Sequence, residues 1–269
     1  MPKLKSGSSW YANHFNNTIR LIVFIILFAV AVVLYNYFIH HVFKTKQHFF
    51  TYFIIAWLVL TYIILPRVYR LLSKIFLPNY FIGRTRTGDG MLGDPVNLAI
   101  IGSENELFDG MTLAGWKRAD KLNLNSSLRM IYSAVLGTQY SSAPVSPLFL
   151  FGKKQDLAFE KDVGGNPRKR HHARFWRTPK NWWLPGGYKI DWLGAATFDK
   201  NVGLSLFTGQ VTHKIDSNVD KERDFVVIGL KKRAKGINWV RHFTSSYNSR
   251  SGGGDFIHTD GSMPFIRLK

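Results

Sequence analysis

The sequence predicts an α+β soluble domain with a mixed, largely antiparallel sheet, preceded by a two-helix transmembrane hairpin. Three observations carry this expectation. Two runs without charge, 21–39 and 49–65, stand close together near the amino terminus. Beyond residue 94, short segments rich in β-branched and aromatic residues lie between turns bearing Gly, Asn and Asp. Stretches with helix-capping signals interrupt these segments without alternating strictly with them, which favours α+β over a doubly wound sheet.

Residues 1–20 form a basic flank with Lys3, Lys5 and Arg20. The first uncharged run has 19 residues and spans about 28 Å as a helix, close to the thickness of a hydrocarbon core. The first span is set at 21–40, with Tyr35, Tyr37, His40 and His41 suited to the interface. Lys44 and Lys46 lie in the connection, and the second run, 49–65, contains Trp57 and is closed by Pro66. Residues 21–66 read as a membrane hairpin rather than a cleaved signal peptide, because Ala29-Val30-Ala31 is followed by further apolar sequence. Basic residues number three before the first span, two in the loop and five after the second, namely Arg67, Arg70, Lys74, Arg84 and Arg86. That bias places both termini and the soluble domain in the cytoplasm.

Residues 67–93 read as a linker. Val68, Leu71, Leu72, Ile75 and Phe76 alternate with basic residues at helical spacing as an interfacial amphipathic turn or two ending before Pro78. Residues 83–93 are Gly-rich and expected to be flexible. The soluble domain then covers 94–269. Residues 96–101 predict a buried strand, and Ser103 with Glu104 and Glu106 predicts a capped helix stopping at Gly115. A second helix is expected at 126–135, ended by Gly137, and an extended loop at 143–147. Strands are expected at 148–151, 156–161 and 171–177, and the last places His172, Arg174 and Trp176 on one face. Trp182 and Trp183 fall in a loop; 192–198 is a strand turning at Asp199-Lys200-Asn201, with 202–207 as its returning partner. Residues 212–216 are extended. A helix at about 218–234, capped by Ser217 or Asn218, carries Asp220 and Glu222 at its start and Lys231, Lys232, Arg233 and Lys235 at its end, matching the helix dipole. Strand-like segments at 237–243 and 265–268 close the chain, separated by turns at 252–255 and 258–261.

The chain has no cysteine, which excludes disulfides, thiolate metal sites and a cysteine nucleophile. Of the +19 net charge, the first 90 residues hold ten Lys/Arg against Asp89 alone, leaving 26 against 16 for the rest. A basic surface suits anionic headgroups, phosphates or nucleic acid. Pro167-Arg168-Lys169-Arg170 near Trp176, Trp182 and Trp183 is a basic and aromatic surface, but no nucleic-acid-binding motif accompanies it, and a lipid surface is the simpler partner. The partners expected are membrane lipids with anionic headgroups and other membrane proteins.

No phosphate-binding glycine loop, nucleophile elbow or zinc-binding helix motif occurs. The chemistry instead concentrates in His172 and Arg174, in His213 and Asp216, in Asp220 and Arg223 at a helix start, and in His258 and Asp260 by a glycine turn. His and Asp can ligate a divalent metal such as zinc or manganese, with His213 and Asp216 as the candidate ligands, while Arg at a helix start suits a phosphate oxyanion. Candidate catalytic groups are His172, His213, Asp216 and Asp220; candidate ligand contacts are His172, Arg174, His213, Arg223, His258 and Asp260. The plainer reading keeps Asp216 and Asp220 as capping acids, Arg223 as their partner and the histidines as core hydrogen-bonding groups.

Several segments in order resemble one known family: Gly115-Trp116, Ala143-Pro144-Val145-Ser146-Pro147, Phe151-Gly152-Lys153-Lys154-Gln155-Asp156-Leu157-Ala158-Phe159, Arg170 to Trp176, Thr212 to Asp216 with Asp220 to Asp224, and His258-Thr259-Asp260-Gly261. Together they are similar to the LssY carboxyl-terminal domain family over about 94–269. The resemblance implies a bacterial membrane protein of an envelope- or secretion-associated kind. It implies that the His/Arg/Asp set is shared, and supplies no mechanism. Members often follow phosphatase-like membrane domains, whose motifs this chain lacks, so lipid-phosphatase activity does not transfer. The function expected is a membrane-anchored accessory protein whose soluble domain binds a phosphate-bearing ligand, plausibly a lipid. The alternatives are a metal-assisted or His/Asp-based phosphoester hydrolase and a purely structural scaffold.

Overall fold

The computed structural model describes residues 49–76, 81–120, 146–164, 169–243 and 248–269, with isolated helical positions between 25 and 37. The expected basic flank, most of the first span, its loop and the helix at 126–135 lie outside the described residues. The chain divides into two compact units, Met1–Leu60 and Thr61–Lys269.

Helix α1 (Phe49–Val59) is apolar all round, and Phe50, Phe53, Ile54, Ile55 and Leu58 are exposed. A single π-helical turn (Leu60–Ile64) leads into α2 (Leu65–Phe76). Pro66 was expected to close the span; it lies inside the helix instead. Its ring clashes with the carbonyl four residues back and its nitrogen donates nothing, so the helix widens just ahead of it and continues. Arg67 Nη1 donates to the Ile63 carbonyl at 2.6 Å within that turn. Among the described residues one helix, Phe50–Ile75, is long and apolar enough to cross a membrane.

α2 is built into the larger unit. The Thr61 carbonyl accepts Gln210 Nε2 at 2.8 Å, Tyr69 Oη donates to the Phe207 carbonyl at 2.9 Å, and Ser73 is buried. The expected linker differs most from the structure. β1 (Arg84–Thr87) and β2 (Leu92–Pro95) form an antiparallel hairpin with Arg84 and Thr85 buried. The glycines that suggested flexibility serve its turn. Gly90 has φ +85°, and a Cβ there would meet Ser73 Cβ at 2.8 Å, so the turn packs tightly on α2.

β3 (Leu98–Ile101) and α3 (Glu104–Leu113) follow, and Ser103 with Glu106 forms the expected capping box. After β4 (Lys117–Arg118) come β5 (Leu148–Leu150), β6 (Lys153–Lys154), β7 (Leu157–Asp162), β8 (Arg170–Arg177), β9 (Trp192–Leu204) and β10 (Val211–Ile215). The chain ends through α4 (Val219–Leu230), a 3-10 turn (Lys231–Arg233), β11 (Ala234–Val240), β12 (Asn248–Arg250), β13 (Phe256–His258) and β14 (Met263–Leu268). One sheet runs β11-β14-β3-β9-β8-β7-β4, with β10 also on β9; a second runs β2-β1-β5-β6; β12 and β13 pair alone. All of these pairings are antiparallel except β14 with β3.

The large sheet is buried on both faces. Leu98, Ile100, Phe159, Phe175, Trp192 and Ile266 pack with Leu107 and Met111 of α3 and Val226 and Leu230 of α4. On the other face Ala99, Trp176, Leu193, Ala195 and Phe265 pack with Leu148 and Leu150 of the second sheet. Alternate residues of β3, β8 and β9 therefore serve opposite layers. The expected turn at Asp199-Lys200-Asn201 is absent, because β9 continues through it. Ile215 pairs with Asp199 and Lys214 with Asn201, so Lys200 is the extra residue of a bulge, and β10 takes the place expected for 202–207. The true turn includes Thr208 and Gly209, the glycine at φ +67°.

Gly194 lies under the Phe175 ring, where a Cβ would meet Phe175 Cε1 at 2.7 Å and Leu98 Cβ at 3.0 Å. Gly194→Val should cost about 2 kcal/mol through overpacking, lowering the melting temperature by roughly 4–8 °C in a domain of this size. Thermal unfolding followed by circular dichroism tests this; an unchanged midpoint would refute the close strand approach.

Candidate functional site

The β8–β9 and β7–β8 registers build the site. Arg170 lies opposite Asp199, His172 opposite Thr197, and Glu160 opposite His172. Residues directly opposite share a face. The face that is apolar around Trp176, Leu193 and Ala195 thus becomes polar around Glu160, Arg170, His172, Thr197 and Asp199, all buried. Asp94 of β2 approaches from the second sheet and accepts Arg174 Nη1 at 2.9 Å and Thr197 Oγ1 at 3.3 Å. On β10, His213 shares the side of Ile215, which lies opposite Asp199, so its ring joins the same cluster.

Asp199 is the centre of it. Its Oδ2 lies 2.6 Å from His172 Nε2 and 3.3 Å from His213 Nδ1, and the two rings stand 6.4 Å apart. Both contacts are within ion-pair distance; the His172 contact is short enough to act as a charge-assisted hydrogen bond that helps hold Asp199 low, although neither ring nitrogen is well aligned with the carboxylate. Glu160 pairs through Oε2 with Arg170 Nη1 at 3.2 Å, while its Oε1 stands 3.5 Å from His172 Nδ1. Buried atoms without an aligned partner accumulate here: Arg170 Nε, Arg174 Nε, both His172 nitrogens, His213 Nδ1 and Glu160 Oε1. The excess is on the nitrogen side.

Burial and charge separate the groups. Burial pushes the Glu160 carboxyl above its ordinary range, against His172 and Arg170. Burial would also raise Asp199, but His172, His213 and Arg174 together hold it low. Burial lowers His213, with Asp199 opposing. His213 is also the opening of the site: its side chain is 37 % exposed, against 4 % for His172 and 8 % for Asp199.

The other expected residues lie elsewhere. Arg223 Nη1 and Nη2 hold both Asp260 oxygens, at 2.6 and 3.2 Å; Nη1 also meets Asp220 at 3.1 Å and Nε meets Asp224 at 2.8 Å. Its guanidinium stacks on Trp239 at 5.0 Å. Asp220 further accepts Thr259 Oγ1 and the Asp260 amide, so this group ties α4 to the β13–β14 turn, and three carboxylates already occupy Arg223. Asp216 accepts the Asn218 amide at 2.9 Å and Asn218 caps α4, as the plainer reading had it. His258 pairs with Asn248 on an exposed edge at 2.9 Å. Among the described residues no group of three or more His, Asp or Glu is placed to hold a metal ion.

The face of β8 that meets α4 is the one opposite to His172. His171, not His172, stacks on Phe225 at 4.3 Å and places Nδ1 2.8 Å from Glu222 Oε2. Sequence reasoning missed Asp199, Glu160, Arg170, Asp94 and Thr197. An alternation signal was present for Arg170, two positions before His172; the others are joined to the site only by pairing across strands.

A family model described as LssY C-terminus matches residues 75–263. The chain belongs to that family. No curated protein and no solved structure gives a match. The family match begins ahead of the β1–β2 hairpin, so this LssY domain takes in the segment expected to be a linker.

Because folding lowers His213 from the ordinary histidine value near about 6.5, the unfolded chain takes up a proton there before the folded one does. Its contribution therefore favours unfolding as pH falls through that value. Chemical denaturation between about pH 7.5 and 5.5 should show wild type losing stability more steeply than His213→Gln; parallel profiles would remove His213 as the titrating group.

Proposed function

We propose that the protein is a membrane-anchored domain that binds a phosphate-bearing ligand at the opening beside His213. His172, Arg174 and His213 are the contacting set, joined by Arg170. The observation supporting this is the excess of buried nitrogen atoms without aligned acceptors, two of them arginine Nε–H groups that can only donate. Such donors require an oxygen acceptor from water or a ligand, and a phosphate supplies several at once.

A hydrolytic reading has one observation of its own. His213 is half-exposed, held low and backed by the Asp199 carboxylate, as a general base would be. In that reading His213 takes the proton of an attacking water and Asp199 stabilises the resulting imidazolium.

Titration of the full chain in detergent with sn-glycerol 3-phosphate should give saturable binding, weakened tenfold or more by His213→Ala and by Arg174→Gln and unaffected by His258→Ala. Equal affinity in His213→Ala would sink the site. Release of inorganic phosphate that disappears in His213→Ala would select the hydrolase.

The membrane hairpin and cytoplasmic orientation belong to the same proposal, supported by the apolar helix followed at once by Arg67, Arg70 and Lys74. A single cysteine placed near residue 45 should react with an impermeant thiol reagent in intact cells. Protection there, with reaction of a cysteine at an exposed position such as Lys231, would reverse the orientation.

A further inference from the structure

A second region of the larger unit gathers cations and shares no residue with the cluster around Asp199. A cavity of about 570 Å³ opens between α2, β1 and the segment around β5, within the range of small-molecule pockets. Its cations are Arg70 and Lys74 of α2 and Arg84 and Arg86 of β1, and no acidic residue lines it. Arg84 is buried and spends its donors on the carbonyls of Gly93 and Arg250 and on the Ser249 hydroxyl, so no carboxylate contacts it. Two acids stand nearby: Asp94, whose charge acts on Arg84, and Asp89, between lining glycines 88 and 90, whose carboxyl burial pushes up against Arg70. The Thr87 hydroxyl, also in the lining residues, is buried without a hydrogen-bond partner.

The remaining wall is aromatic. Trp182 is held edge-on between Phe81, at 5.5 Å, and Phe151, at 4.8 Å, and Phe149 lines the cavity beside them. Cations on one wall and aromatic rings on the other suit a molecule that is anionic at one end and apolar at the other.

Position on the helix selects its source. The uncharged run ends at Leu65, and Arg70 and Lys74 stand about 7.5 and 13.5 Å further along the axis at 1.5 Å per residue. The headgroup layer adds about 5–8 Å per leaflet beyond the hydrocarbon core, so Arg70 stands at its outer edge and Lys74 just beyond it, with a side chain long enough to reach back. The helix cannot swing away freely, since Gly90 closes on Ser73 and Gln210 and Phe207 hold Thr61 and Tyr69.

We propose that this cavity holds the phosphate-bearing headgroup of an anionic glycerophospholipid, with Arg70 and Lys74 meeting the phosphate and Trp182 and Phe149 lying along the glycerol and upper acyl carbons. The proposal does not rest on ligand binding at His213.

The test uses the full chain in detergent and native mass spectrometry with short-chain phosphatidylglycerol, short-chain phosphatidylcholine and inorganic phosphate as separate probes. Phosphatidylglycerol should bind saturably, at least tenfold more tightly than the other two. Arg70→Gln/Lys74→Gln should reduce its affinity tenfold or more, and Trp182→Ala should weaken it without abolishing the charge preference. Lys231→Gln/Lys232→Gln, the same charge change away from the cavity, should leave it unchanged, as should His213→Ala. Equal affinity for both lipids, or for inorganic phosphate and lipid, overturns the assignment. So does retention of phosphatidylglycerol affinity in Arg70→Gln/Lys74→Gln. Loss of glycerol 3-phosphate binding in His213→Ala with lipid binding intact separates the two sites.

Discussion

The register of β8 against β9 is the constraint on which the rest depends. Both faces of this strand pair are covered, so each side chain commits to one of two packed layers. A slip of one residue would send Phe175 into the polar cluster and His172 under α4. It would also strand Arg170 and Asp199 among apolar neighbours, where an unpaired buried charge costs about 3–5 kcal/mol. The apolar end of the ladder, with Gly194 beneath Phe175, holds the register. The polar end exploits it, because only this pairing sets Glu160, His172 and Asp199 within reach of each other.

Part of this is legible from the chain alone. Alternation along 170–177 separates His172, Arg174 and Trp176 from His171, Ala173 and Phe175, as the structure has it. Alternation does not say which face meets which layer. The α4 side falls to His171 because its ring stacks flat on Phe225 while Glu222 receives its nitrogen. Asp199 was hidden for a different reason. Asp-Lys-Asn is turn chemistry, and a bulge uses the same residues without reversing the chain. Capping signals were local and survived: Ser103 with Glu106, and Asn218, need only their own neighbours. Glu160 and Asp94 reach the site through partners 12 and 80 residues away, His172 and Arg174, and nothing local marks them.

The membrane-proximal segment shows how composition misleads at a boundary. A proline after an apolar run and glycines beyond it suggest an ended helix and a loose linker. Yet the helix absorbs Pro66 by one widened turn, and the glycines let a hairpin close on it. What results is a tightly packed junction between α2 and the β1–β2 hairpin. A change of charge or packing at Arg70, Ser73 or Gly90 is therefore felt by both α2 and the small sheet that β1 and β2 begin, whereas a loose linker would dissipate it.

The two basic regions differ in how their charge is balanced, and this sets what each can recognise. Around His172 the cations are interleaved with Asp94, Glu160 and Asp199, so the cluster is close to neutral and its selectivity must come from unmet donor positions. A neutral, enclosed site discriminates by shape and hydrogen bonding and depends little on salt. At the cavity beside α2 no carboxylate lines the wall; main-chain oxygens and the nearby Asp94 act on Arg84, and Asp89 acts on Arg70. Basic side chains near a membrane surface are attracted to anionic lipid at about 1 kcal/mol each, and the attraction is screened within a Debye length. A cavity of that kind suits a ligand presented in the plane of the membrane.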